Sequence, residues 1–356
     1  MVQLSADITR YLASPVTNEE RNVILGDLFS LKKNYIQQFL LKHQLDDSGT
    51  KQALKERVQQ GLANHIISVA DVIAYLDKVL PWGKQHIYLL HGPKAPIQRW
   101  RNPEWLRNHL SQFRLDSFLN TQRSLFLPKS LQLSAIDCDG HRLRVTAVVR
   151  RDWLERNPAL DTQRELSDDH VIRNRGFFVR SSRCLVVFEW DLRCNTGFLQ
   201  ISQLPTGSRY GDIAKEFWRL VNAWLPLSRF TIVSLHPAIK RLHELEEIGL
   251  GESRSHGVNY RTPEGRRIEG RSASSTDSLC GEQSVDLAMR AARNSGIGQL
   301  GNFYWLPSRC QFNPLNRELH TVLIGSENRI NFPTHQSEER VRYVLSRIRH
   351  HCKSSS

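Results

Sequence analysis

No stretch of this chain approaches the ~20 consecutive apolar residues that a membrane-crossing helix requires, so no membrane partner is expected. The N-terminus, MVQLSADITRYLASP, lacks a basic start followed by a long apolar core, so no secretory signal is read there. Cysteine is sparse, with six residues at 138, 184, 194, 280, 310 and 352. None are spaced as Cys-x-x-Cys, which excludes a zinc knuckle or a redox pair. Scattered thiols in a long chain fit a reducing compartment, and a cytoplasmic, nucleoid or nuclear protein is expected. Nucleotide chemistry also lacks its marks. There is no Gly-x-Gly-x-x-Gly and no Gly-x-x-x-x-Gly-Lys-Ser/Thr. Gly251-Glu-Ser-Arg-Ser lacks the second glycine of a nucleophile elbow. No His-x-x-x-His or His-Glu-x-x-His pair offers a metal site.

Basic charge is abundant. Among 356 residues the formal net charge is +13, and 37 Arg outnumber 12 Lys. Arginine presents a planar fork that matches phosphate and base edges, where lysine is a point charge. An excess of this size points to a polyanion, most simply nucleic acid. With 40% hydrophobic residues the chain can bury a core, and its length suggests two or three domains.

The segment from Leu25 to Leu62 organises the N-terminal part. Leu28, Leu31, Tyr35, Ile36, Phe39 and Leu40 recur at helical spacing, predicting one amphipathic helix. Leu54, Val58 and Leu62 predict a second. LDDSGTK between them reads as an extended loop. Gly49 takes conformations other residues resist, Ser48 or Thr50 can cap the second helix, and Leu45 can plug the gap.

Ser48-Gly49-Thr50-Lys51, then Leu54, then Arg57-Val58, resembles the SAP motif, a helix, extended loop and helix module that binds duplex DNA. The resemblance covers about forty residues. It implies that Lys51 and Arg57 face phosphate, with Lys55, Lys32, Lys33 and the loop amides near Gly49 beside them. The acidic pair Asp46-Asp47 departs from this pattern, because it is unfavourable if turned toward DNA.

Along the rest of the chain, Ser68 caps a predicted helix ending at Pro81-Trp82-Gly83, and residues 85–90 read as a strand. Ile97 to Phe118 reads as a linking helix, whose Trp100 and Trp105 lie among arginines and are stacking candidates. Period-two alternation on both sides of Asp137-Cys-Asp-Gly140 predicts a hairpin, with Arg142, Arg144 and Arg150 on the face opposite its apolar residues. Residues 151–174 read as a loop. Residues 176–180, 184–190 and 197–201 read as strands, and Tyr210 to Leu225 as a helix. Residues 249–283 read as a weakly ordered basic loop, with Pro263 to Arg267 turning a mobile hairpin. There Arg266 and Arg267 are DNA-contact candidates. Three short strands and a helix from Glu338 to Cys352 close the chain. Residues 175–225 and 302–352 repeat one order of elements, each with Ser-Arg-Cys after its first strand.

This predicts an α+β fold: a helical N-terminal region with a SAP-like hairpin, then a mixed, largely antiparallel sheet with helices on one face, in two related halves. The divisions are a lead-in over 1–21, the SAP-like module over 22–66, a helical linker with a short strand over 67–128, a first sheet-plus-helix unit over 129–248, the basic loop over 249–283 and a second unit over 284–356. Non-catalytic binding of duplex DNA is the expected function, with no cofactor and with protein partners besides. A rival reading places Asp137, Asp139, Glu189 and Asp191 around Mg²⁺ for phosphodiester hydrolysis, since that reaction uses a hard cation held by oxygens. Arg193 stands where such nucleases carry lysine, and the same carboxylates serve equally as turn and ion-pair residues. A third reading is an assembly subunit whose arginines meet an acidic protein.

Overall fold

Helix starts follow their capping residues. The computed structural model describes residues 9–12, 16–94, 97–124, 127–167, 170–307 and 314–353. After a short strand β1 (Thr9–Leu12), Thr17 and Glu20 form a reciprocal cap on α1 (Asn18–Ser30). α2 (Lys33–Lys42) follows, and Thr50 caps α3 (Lys51–Ala63). Ser68 and Asp71 form a second reciprocal cap on α4 (Val69–Val79). Then come β2 (Gln85–His91), α5 (Pro103–Ser111), β3 (Thr121–Ser124), β4 (Gln132–Cys138) and β5 (Arg142–Arg156). A side hairpin, β6 (Thr162–Ser167) and β7 (His170–Asn174), leads to β8 (Phe177–Asp191), β9 (Thr196–Ser202) and α6 (Tyr210–Val221). Next are β10 (Thr231–Ile232), α7 (His236–Glu247), β11 (Ser253–Arg261), β12 (Arg267–Arg271) and α8 (Gln283–Ser295). β13 (Ile297–Trp305), β14 (Leu319–Ile324), β15 (Arg329–Phe332) and α9 (Glu338–Cys352) complete the chain.

One antiparallel sheet joins most strands in the order β12-β11-β13-β14-β15-β2-β9-β8-β5-β4, with β10 pairing on β2. The α+β expectation holds. The helices, however, occupy both faces rather than one. Tyr88 and Leu90 of β2 join a core with Phe188, Leu199, Ile213 and Phe217 under α5 and α6. Ile87 and Leu89 join a second core with Phe303, Leu323, Ile239 and Val344 under α7, α8 and α9. Side chains alternate along a strand, so the two cores lie on opposite faces. Burying each large apolar side chain contributes on the order of 1.5–3 kcal/mol, and a sheet covered on both sides gains on both.

Several expectations are corrected. The single helix spanning Leu28 to Leu40 is two helices, because Leu31 and Lys32 are extended. The Ser30 hydroxyl donates to the Asp27 carbonyl at 2.7 Å, competing with the helical pattern, and Leu31 turns inward and is buried. α1 packs on α4 and β8, whereas α2 packs on α3, so a straight rod would lose one of the two contacts. The linking helix breaks into a short 3-10 turn and α5, which Pro103 starts at its first residue and Asn102 caps. Within 151–174 lie β6, β7 and the end of β5 rather than a loop: β6 pairs with β7, and β5 and β8 pair from Arg142↔Asp191 to Arg156↔Phe177. The outer part of this ladder is exposed on both sides, which removes the alternation that marks a strand, and cross-strand ion pairs such as Arg180–Glu155 hold it. The weakly ordered loop at 249–283 contains β11, an interior strand that buries Val258 and Tyr260. Glu246 accepts from the Ser255 amide at 2.6 Å and the Ser278 hydroxyl at 2.7 Å, and Arg254 donates to the Ser275 and Asp277 carbonyls, so polar residues order the connection. In the apparent repeat, Ser308-Arg309-Cys310 lies outside the described residues, as do residues 1–8 and 13–15 of the lead-in. The helices of the two blocks, α6 and α9, pack on opposite faces.

A buried polar seam ties the N-terminal helices to the sheet. Arg183 of β8 pairs with Asp77 of α4, both side chains almost fully enclosed, and Gln122 of β3 donates to the same carboxylate. Asp27 of α1 accepts from the Arg183 backbone amide, and its Oδ2 is enclosed without a partner. Burial raises the Asp27 carboxyl from 3.8 to about 7, against the lowering charge of Arg183. The unfolded chain therefore ionises this group as pH rises above 3.8 while the folded chain keeps its proton to about 7, so its contribution makes stability fall across that window. Asp27→Asn should remove this slope. In urea titrations the variant should gain on the wild type as pH rises, by on the order of 1–3 kcal/mol at neutral pH. Parallel pH profiles for the two proteins would refute the assignment.

Candidate nucleic-acid interface

The loop between α2 and α3 is closed by its own polar groups. Gly49 has φ 99°, a left-handed conformation in which a side chain is strained. Asp46 accepts from the Ser48 amide at 2.9 Å. Gln37 of α2 donates to the Asp47 carbonyl at 2.8 Å. Arg57 reaches back from α3 to pair with Asp46 at 2.6 Å and donates to the Asp46 and Ser48 carbonyls. The Ser48 amide, the Ser48 hydroxyl and the Arg57 charge together hold the Asp46 carboxyl below its usual range. Of the acidic pair that departs from the SAP pattern, Asp46 is thus neutralised within the loop, while Asp47 is held through its carbonyl. Leu45 and Ile67 close on α3 at Gly61, where a Cβ would lie 3.2 Å from Leu45 Cδ1 and 2.8 Å from Ile67 Cδ1.

What the hairpin leaves outward is lysine. Thr50 accepts from the Ala53 amide at 3.2 Å and starts α3, whose first turn carries no acid. Lys51 opens that turn, and Lys55 stands one turn on, with its ammonium 5.6 Å from the Phe29 ring centroid. Partial burial and the charge of Lys55 lower the Lys51 pKa. Lys32 and Lys33 are exposed at the start of α2.

The sheet arginines are spent differently. Arg144 is buried and stands in register between Asp137 and Glu189, while Arg142 stands opposite Asp191. Arg150 pairs with Asp152 at 2.6 Å and with Glu19 at 3.4 Å. Arg267 pairs with Glu269, and Arg266 is exposed at the turn before β12. Acids thus interleave with arginines across the sheet in a patchwork, around the arginines that the sequence offers as DNA contacts.

The four carboxylates of the magnesium reading are engaged in the fold. Asp139 accepts from the His141 and Arg142 amides at 2.8 and 2.6 Å. Asp191 accepts from the Arg193 amide at 2.8 Å and pairs with its guanidinium at 3.1 Å. Arg342 of α9 grips Glu189 with both Nη atoms at 2.6 and 2.7 Å, stacked over Trp82. Asp137 faces Arg144 across the ladder. Among the described residues no group of three or more His, Cys, Asp or Glu is placed to hold a metal ion. Trp100 is buried against Trp105 and Trp190, so it belongs to the core under α5.

Sequence reading missed a polar aromatic row on the sheet face that α7 and α9 leave uncovered. Arg254 lies 4.7 Å over Tyr304, whose ring stacks on His320 at 4.5 Å. The available signal was the alternation in β14, where His320, Val322 and Ile324 take the half-buried positions. Comparison with known protein families finds no match to this chain, and neither does comparison with curated proteins.

Arg57 ties the loop, so Arg57→Ala should release it without unfolding the sheet. Amide hydrogen exchange over residues 46–50 should quicken at least about tenfold, a loss of ~1.4 kcal/mol or more in local stability, while the global melting transition stays in place. Unchanged protection there would show that the loop holds its form without the guanidinium.

Proposed function

We propose that this chain binds duplex nucleic acid, DNA first of all, through the α2–α3 hairpin and without catalysing a reaction on it. The observation that carries this reading is the start of α3. A helix N-terminus already favours an anion through its free amides and its dipole. Two cations, Lys51 and Lys55, are added there, with no acid in the first turn. Of the two loop acids, Asp46 is occupied by Arg57. Lysine at this end of a helix opposes the dipole, so it costs stability unless an anion joins it. A phosphate backbone supplies such anions at regular spacing, and the resemblance of Ser48-Gly49-Thr50-Lys51 to the SAP motif points the same way.

On this reading the sheet arginines act as structure. Arg150 and Arg267 pair with carboxylates of the same chain, and Arg142 and Arg144 stand in register with acids, which favours the hairpin as the first contact. The magnesium-nuclease alternative is not favoured, since its carboxylates accept from turn amides or face arginine. Affinity should come mostly from counterion release, so log K should fall linearly with log salt. In a mobility-shift titration, Lys51→Glu/Lys55→Glu should weaken binding at least about tenfold and flatten the salt dependence by about one slope unit per lost phosphate contact. Wild-type affinity and slope in that variant would overturn the reading.

A further inference from the structure

A second group of cations gathers where the hairpin meets the sheet. Tyr35, in the first turn of α2, lies with its ring 5.4 Å from His335, which precedes α9. Gly83 lets His335 in, since a Cβ there would lie 2.5 Å from His335 Cε1. Lys84 follows Gly83 and is exposed, as is Lys32 at the start of α2. The charges of both lysines bear on the His335 ring. The charges of Arg317 and Arg340 bear on the Tyr35 phenol. Arg317 is exposed, and Arg340 is steadied by Asn316. Four cations, at positions 32, 84, 317 and 340, thus act on one pair of touching rings. The acids beside them are Glu318, which pairs with Arg254 at 2.8 Å, Glu338, which pairs with Arg342 at 2.7 Å, and the exposed Glu339.

We propose that this junction is a second phosphate-backbone contact for the same duplex, made by Lys32, Lys84, Arg317 and Arg340 around the Tyr35–His335 contact. It rests on the function proposed above and extends it, because two contacts on separate elements fix the direction in which the duplex crosses the molecule. The Tyr75 hydroxyl donates to the Tyr35 carbonyl at 2.6 Å, and this bond, with the Tyr35–His335 contact, fixes the start of α2 against both α4 and the sheet body. The cations are therefore held in place before binding, and little side-chain ordering remains to be done on contact. Glu318 and Glu338 are paired with other arginines, so the like charges collected here repel one another more than their neighbouring acids offset, and a polyanion relieves that repulsion.

The test compares two charge-reversed variants of the full chain on one labelled duplex across a salt series. Arg317→Glu/Arg340→Glu alters the junction. Arg219→Glu/Arg229→Glu changes net charge equally at exposed positions on and just after α6, across the sheet from α9. The junction variant should lose affinity at least about tenfold and its salt slope should fall by about two units, while the control changes little. Equal losses in the two variants, or none in the junction variant, would overturn the junction contact and leave the hairpin reading standing. A wild-type chain without salt-dependent binding would overturn both. If the reversed junction variant lacks a cooperative melting transition, Arg317→Ala/Arg340→Ala takes its place, with the same fall in slope expected.

Discussion

A ten-strand antiparallel ladder has two faces, and the fold depends on covering both around one strand. β2 sits between β15 and β9 and is buried over almost its whole length. Its odd and even side chains enter different cores, Ile87 and Leu89 on one side, Tyr88 and Leu90 on the other. Because β2 precedes both of its sheet neighbours in sequence, the two halves assemble on it from opposite sides. The helices follow: α5 and α6 close one face of the first half, and α7 and α9 close the opposite face of the second. The first half's remaining face is left to the N-terminal helices, and the polar seam of Asp77, Arg183 and Gln122 marks where they dock.

Arginine is the second theme. The chain carries a large basic excess, yet many guanidinium groups of the sheet are joined to carboxylates. Some of these pairs are deep, such as Arg183 with Asp77 and Arg293 with Glu247. A buried pair recovers its desolvation cost only through good geometry, and it penalises packings that separate the partners. Arg342 shows the pattern well, gripping Glu189 across the sheet and Glu338 on its own helix while it covers Trp82. Lys32, Lys33, Lys51 and Lys55 of the hairpin carry positive charge that is not joined to a carboxylate in this way, as do exposed arginines elsewhere, such as Arg219, Arg229 and Arg266. The α2–α3 unit is thus joined to the sheet body and also carries the surface on which the functional proposal rests.

Much was legible from local pattern. Thr50 and Ser68 cap the helices that the sequence assigns to them, because a capping hydroxyl acts within three residues. The hairpin across Asp137 to Gly140 reads correctly for the same reason: its alternation and its turn residues lie side by side. α9 spans Glu338 to Cys352 as its apolar spacing predicts. Misreadings fall where local pattern conflicts with distant packing. Leu28 to Leu40 keeps helical spacing through a break whose two sides serve different partners. Residues 151–174 and 249–283 look like loops because their strands are either exposed on both faces or held by polar bonds to distant groups.

By itself the sequence determined the class of fold, most helix limits, the capped hairpin with its loop, and the excess of positive charge. Each of these is set by neighbours within a few residues, or by composition alone. The tertiary structure decided which charges remain outward, since an arginine and the carboxylate that neutralises it stand as far apart in the chain as Arg183 and Asp77, or Arg342 and Glu189. It also decided which face each helix covers, and it drew Tyr35, Lys84 and Arg317 to one place. Strand pairing brings such residues together across long separations, and no local spacing records it.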